Sequence, residues 1–221
     1  MAEQAEERAP IIEYAKYGIF AKPLQGSNRS PRLAWGSLNG NPRMTVFTNT
    51  PSDTVNSGII YAGFNPETMF ELLDAFKYII ENGIKGGKKR IKNYTIARDA
   101  TGNGAATGEK KLLCEAIVGK DERGVNYVSL IAEDRPKIKF EFRVSDFHEM
   151  FHGDGTPYSE EEASDAQAKA AIKGLTEIYL KCASDARPPA VPRTNQPYQK
   201  SNQSSYGASR APDLDIDSDV F

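Results

Sequence analysis

The sequence predicts a mainly β protein with two helices, built as an antiparallel barrel with one helix inserted at about 66–82 and a C-terminal helix at about 160–183. Three observations predict it. About eight short runs of β-branched and aromatic residues are separated by Gly, Pro, Asn and Asp clusters. Only two stretches carry an apolar repeat of three and four residues. The β runs also follow one another directly, where alternating βαβ units would place a helix between each pair. A small antiparallel barrel with an inserted helix is the OB-fold, and the strands beyond five are read as hairpin extensions. A hydrophobic content of 39% over 221 residues supports one well-buried domain with appendages.

Residues 1–9 are polar and acidic and are expected to form a flexible N-terminus to a domain spanning 10–184. Ile11 to Lys22, bounded by Pro10 and Pro23, suits a first strand, and Leu24 to Pro31 is a turn cluster. Strands follow at Arg32–Leu38, Arg43–Thr48 and Ser57–Phe64, with an Asn39-Gly40 hairpin signal between the first two. The period changes at Asn65. Asn65 can cap a helix, Pro66 suits its first position, and Met69, Leu72, Leu73, Phe76, Ile79 and Ile80 form one stripe before Gly83 ends it. Strands resume at Lys88–Arg98, Glu109–Val118 and Val125–Ala132, with a small-residue loop at 99–108 that lacks a phosphate-binding spacing. In Lys137–Val144, Ile138, Phe140, Phe142 and Val144 alternate with Lys137, Lys139, Glu141 and Arg143, so one face is buried and one is wet. Ser159 and Glu162 make a capping box for the second helix, whose stripe is Ile172, Leu175, Ile178, Tyr179 and Cys182.

Composition shifts to Pro, Ser, Asn, Gln, Ala and Arg over 185–212, the mark of a disordered linker. Residues 213–221 then alternate Asp213, Asp215, Asp217 and Asp219 with apolar residues and end on Phe221. Such a segment repels itself and buries too little to fold alone, so it reads as a disordered acidic tail that docks elsewhere.

The net charge of −2 hides an asymmetry. From Lys16 to Arg143 there are 20 Lys and Arg against 13 Asp and Glu, a net +7, while both ends are acidic. A basic body points to a polyanionic partner, with the tail competing for the same surface. Lys88, Arg90, Lys92, Tyr94 and Arg98 would share one strand face, and Lys110 and Lys111 begin the strand across the loop. Cations track phosphates and rings stack on bases, which is what single-stranded nucleic acid requires. Lys16, Arg32, Arg43 and Trp35 complete the candidate DNA-binding set; the other strand aromatics, Phe20, Tyr61 and Tyr127 among them, are expected in the core. Phe140 and Phe142 face inward by their alternation.

An enzyme reading competes through His148-Glu149-Met150-Phe151-His152, which matches the H-E-x-x-H zinc-protease pattern. Gly153, Gly155 and Pro157 would end its helix at the second His, and no third ligand is specified, so no metal, cofactor or catalysis is expected. Cys114 and Cys182 lack a metal spacing and are expected in the core. No run reaches the roughly 18 apolar residues of a membrane span, and the acidic start is unlike a signal peptide, which suggests the cytosol.

The basic β-rich body, the Pro/Ser/Gln/Asn linker and the ending DLDIDSDVF together resemble the replication single-stranded DNA-binding proteins of tailed bacteriophages. The ending is similar to the bacterial Ile-Pro-Phe terminus, with Asp219-Val220-Phe221 lacking the proline, and over 10–184 the resemblance is architectural. It implies sequence-tolerant, non-catalytic binding of single-stranded DNA in replication, recombination and repair, in the cytoplasm of a host bacterium. It also implies that Asp213, Asp215, Asp217, Asp219 and Phe221 contact phage or host replication proteins such as polymerase or primase-helicase, and that the tail occupies the DNA groove. Oligomeric state is left open, a homodimer included. The alternatives are the zinc protease and an adaptor in which only the tail is functional.

Overall fold

In the computed structural model the described residues, 12–14, 18–38, 40–98 and 106–184, form two antiparallel sheets, each followed in the chain by one helix. Residues 1–11, Lys16, the linker 185–212 and the acidic segment 213–221 lie outside them. The first sheet holds β1 (Ile12–Tyr14), β2 (Ile19–Phe20), β3 (Arg32–Leu38), β4 (Asn41–Phe47) and β5 (Ile59–Gly63), followed by α1 (Pro66–Glu81). The second holds β6 (Lys88–Arg98), β7 (Ala106–Lys120), β8 (Asn126–Ile131) and β9 (Phe140–Glu141) in sequence order, followed by α2 (Glu160–Ser184). Neither ladder closes into a barrel among the described residues.

Local chemistry explains most boundaries. Leu38 pairs with Asn41 across the hairpin, and Gly40 has the positive φ of 75° that a tight hairpin turn demands; Asn39 lies outside the described residues. The Asn65 side chain accepts from Thr68 N–H at 3.1 Å and Pro66 opens α1. Its six buried residues are the predicted stripe, each worth about 1.5–3 kcal/mol when fully covered. Ser159 and Glu162 form the reciprocal capping box, with Ser159 N–H donating to Glu162 at 2.8 Å and Glu162 N–H donating back at 3.2 Å.

Two strands depart from expectation. The single strand expected over Ile11–Lys22 is two short pieces that pair with different parts of β3, Tyr14 opposite Gly36 and Ile19 opposite Leu33. Only Phe140 and Glu141 of Lys137–Val144 join a ladder, yet Ile138, Phe140 and Phe142 are buried as their alternation requires. A short ladder and packing together hold that segment: Phe142 N–H donates to the Asn126 carbonyl at 2.9 Å, and its ring meets Phe76 of α1 with centroids 5.6 Å apart.

One core serves both sheets and both helices. Leu33, Met44 and Ile60 from the first sheet, Ala116, Val118 and Leu130 from the second, and Leu73 and Leu175 from the helices belong to one buried cluster. The sheets meet where β5 ends its ladder. Asn93 of β6 donates to the Gly63 carbonyl, and the Cys114 thiol of β7 donates to the Tyr61 carbonyl at 3.3 Å. These bonds satisfy acceptors that an edge strand would otherwise leave open. Burial pushes the Cys114 thiol up to about 11, so it stays protonated and able to donate.

Two ion clusters fix the periphery. Arg135, between β8 and β9, contacts both oxygens of Asp53, between β4 and β5, at 2.6 and 2.7 Å, and Thr48 donates to Asp53 at 2.8 Å. This ion pair, with one hydrogen bond from the guanidinium, ties one sheet's loop to the other's. Gly58 (φ 76°) allows the close approach, since a Cβ there would stand 2.9 Å from the Thr48 hydroxyl. At the far end of β7, Lys120 is 1% exposed and reaches Glu161 at 2.7 Å and Asp165 at 3.1 Å, both on α2. Asn126 donates to Asp165 at 2.6 Å, and Lys85 pairs with Glu161 at 2.7 Å. Desolvation works to lower the Lys120 pKa, but its bonds to Glu161 and Asp165 outweigh it and the net shift is upward.

Replacing Lys120 with Ala should leave two carboxylates facing a cavity and cost about 3 kcal/mol, read as a lower urea midpoint. Glu161 is held below its ordinary 4.5 by the bonds from Lys120 and then Lys85. A depressed carboxylate stabilises above its unfolded pKa and loses that contribution as pH falls through the folded value. The urea midpoint should therefore fall below pH 4.5, and Glu161→Gln should flatten that acid limb.

Candidate nucleic-acid interface

The site follows from which face of the second sheet is covered. On β7 and β8 the residues Ala116, Val118, Val128 and Leu130 turn to the core, and Lys89 and Ile91 of β6 pair in register with them. Period two then sends Lys88, Arg90 and Lys92 to the outer face, where all three are exposed. One additional residue, Leu113, sits on β7 where the register shifts between Asn93 and Tyr94. The insertion falls on β7, so β6 keeps its alternation and Tyr94, 51% exposed, continues the cationic row.

Beyond Tyr94 only β6 and β7 pair, which makes a two-stranded arm. Tyr94 stands opposite Leu112 and Ile96 opposite Lys110, so Lys110 shares the face of the row while Lys111, opposite Thr95, belongs to the other. The Arg98 backbone belongs to β6, but its side chain lies outside the described residues, as does all of Lys16. Among the described residues no ion pair engages Lys88, Lys92, Lys110 or Lys111. Arg90, itself exposed, faces the half-buried Glu115 carboxylate at 3.6 Å, beyond hydrogen-bond distance. Lys89, on the opposite side of the strand, pairs with Glu71 of α1.

The row borders a groove of about 260 Å³ whose floor is Ile117, Ser129 and Ile131 and whose rim includes Lys88, Arg90, Tyr127, Lys137 and Lys139. The Lys139 ammonium sits 4.6 Å from the Tyr127 ring centroid, a cation–π contact. Lys139 also donates to Asp121 at 2.6 Å. Burial works to raise the Asp121 pKa, but the bonds from Lys139, Val125 N–H and Arg123 win and hold the carboxyl well below its usual range. Glu141 is likewise depressed: its burial is outweighed by Arg143 and then Lys139 and Arg123. Both acids stay ionised and fix Lys139 at the rim. Lys137 has no ion pair among the described residues.

Other expected site residues lie elsewhere. Trp35 is 1% exposed within the core, on the same side of β3 as Leu33, so it presents no face to a base. β3 is covered on both faces from Leu33 to Ser37, which buries Trp35, and an offset of three residues puts it and Arg32 on opposite faces. Arg32 instead stands 5.9 Å from the Phe20 ring, and Arg43 lies 4.2 Å from the ring of Tyr61. The latter pair lines a separate groove of about 390 Å³ with Leu38, Pro42 and Phe64. Asp213, Asp215, Asp217, Asp219 and Phe221 lie outside the described residues.

Residues 148–152 form turn and bridge, not helix: His148 N–H donates to Ser145 and Phe151 bridges to Pro157. The i, i+4 helical geometry of a zinc protease is therefore not formed. His152 stacks on Tyr158 at 4.3 Å and approaches Glu162 at 3.5 Å, while His148 is exposed. Among the described residues no three His, Cys, Asp or Glu side chains gather as a metal site. Comparison with family models, curated proteins and solved structures finds no match.

Sequence reasoning missed Tyr127, Lys137 and Lys139 as groove residues. The wet face of Lys137–Val144 was legible, but its position beside β6 depends on cross-strand register. Trp35 gives a direct check of the corrected placement: its emission should be blue-shifted, resist iodide quenching and stay unchanged when oligonucleotide is added.

Proposed function

We propose that the protein binds single-stranded DNA without catalysis and with little dependence on sequence, through the outer face of the second sheet. The observation that carries this reading is the exposed row Lys88, Arg90, Lys92 and Tyr94, with Lys110 across the hairpin and Tyr127, Lys137 and Lys139 in the adjoining groove. An open sheet face with cations and rings at strand spacing suits a flexible strand, whose phosphates follow the cations while its bases stack. Edge protection alone would need the charges but not the interleaved ring. The OB-fold-type barrel is the finer form of this reading; its support is the abutment of β5 on the second sheet through Asn93 and Cys114, and the binding face does not depend on closure.

The acidic segment belongs to the same proposal. Four aspartates and Phe221 on a linker of 28 residues can reach the cationic row and compete with phosphate, or dock on a replication partner such as a polymerase or primase-helicase. DNA in the groove then frees the segment for that partner. The resemblance to phage single-stranded DNA-binding proteins supports this arrangement and a role in the host cytoplasm.

Fluorescence anisotropy with labelled oligo(dT), across a salt series, tests it. Affinity should fall steeply with salt, and removal of 213–221 should tighten binding. Lys88→Glu with Lys92→Glu should weaken it by about tenfold or more, with a log–log salt slope shallower by about 0.7 for each phosphate no longer neutralised. Absent or salt-insensitive binding in the tail-less protein would favour the adaptor reading and overturn this one.

A further inference from the structure

The groove beside β6 is bordered on one side by Lys137 and Lys139. The same segment, Lys137 through Lys139, also lines a larger groove of about 980 Å³ that runs between residues 18–24, the segment after β9 and the middle of α2. Two phenylalanines stand on this second groove: Phe20 is 63% exposed and Phe147 is 93% exposed. Single exposed rings need no explanation, but two on one concave surface with a cationic rim present the parts of a stacking site. The rim carries Lys22, Arg123, Lys137, Lys139 and Arg143 against Glu141 and Asp146. Arg123, Lys139 and Arg143 are tied to acids, whereas Lys22 and Lys137 have no ion pair among the described residues. The Arg32 guanidinium beside Phe20 adds positive charge next to that ring.

We infer that this second groove is a continuation of the single-strand path, with Phe20 and Phe147 as base-stacking platforms and Lys22 and Lys137 as phosphate contacts. The inference rests on the proposed binding of single-stranded DNA and extends it from one sheet face to a track that turns around β9. The shared border at Lys137–Lys139 and the cations Lys22 and Lys137, which have no ion pair among the described residues, select a polyanion with aromatic faces as occupant over an apolar peptide. The strand would cross from Lys88 and Lys92, past Tyr127, to the α2 side of the domain.

Length-dependent binding decides it. With oligo(dT) of about 5 and about 20 nucleotides, within and beyond the span of one small binding fold, Phe20→Ala with Phe147→Ala should leave the short affinity unchanged. The long one should weaken by about fivefold to a hundredfold, the range for loss of one or more stacked bases. Phe→Tyr at both positions should restore binding and Phe→Leu should not, since only a ring stacks. Photocrosslinking of 5-iodouracil within the longer oligonucleotide should label the peptides holding Phe20 and Phe147. Unchanged long-oligonucleotide affinity in the Ala variant, while Lys88→Glu with Lys92→Glu still weakens binding by about tenfold or more, overturns the second groove and leaves the first. If the Lys variants bind as well as the parent, the underlying reading fails instead.

Discussion

The pleat of the second sheet has one face it cannot expose. Ala116, Val118, Val128, Leu130 and Phe140 all point to the core shared with both helices, and turning them outward would expose the centre of the buried cluster. A strand in register with them has no freedom of its own, because a slip of one residue exchanges its two faces. Lys89 and Ile91 must therefore face inward, and Lys88, Arg90 and Lys92 must face water. The cationic row is a consequence of core packing, and Tyr94 joins it only because the inserted residue at the register shift lies on β7.

The polar ties keep that face fixed relative to its surroundings. Asn93 and Cys114 attach the base of the β6–β7 arm to the carbonyl edge of β5, Arg135 holds the opposite loops through Asp53, and Lys120 anchors α2 beneath the end of β7. Lys120 shows how a charge can lie in a core: its bonds to Glu161 and Asp165 replace its water, and Asn126 satisfies Asp165 in turn. Ion pairs at the rim work differently. Asp121 and Glu141 neutralise Arg123, Lys139 and Arg143 locally, whereas Lys22, Lys88, Lys92, Lys110, Lys111 and Lys137 have no ion pair among the described residues.

Much of this was written in residue spacing. The stripe of α1, the caps at Asn65 and Ser159, the turn at Gly40 and the outward row on β6 depend on neighbours at most a few residues away, and the sequence shows those neighbours directly. The inward set Ile138, Phe140 and Phe142 was legible for the same reason, although the ladder around it is short. Trp35 was not. Composition made it a candidate platform, but β3 is covered on both faces, and its cover on the Trp35 side comes from the cluster of Met44, Ile60 and the helices, none of which is local to it. The break of the first strand into β1 and β2 likewise depends on pairing with β3.

By itself the sequence determined the element types, the basic excess between Lys16 and Arg143, the acidic ending and the alternation that gathers cations on one strand face, since each arises from local periodicity or from composition. Tertiary structure alone decided that Tyr127, Lys137 and Lys139 complete a groove beside that face, that Lys120 is a buried tie, and that Phe20 and Phe147 border a second groove sharing Lys137–Lys139 with the first. Those groups are far apart in the chain, and their meeting follows from strand register and from two sheets sharing one core, which no single segment encodes.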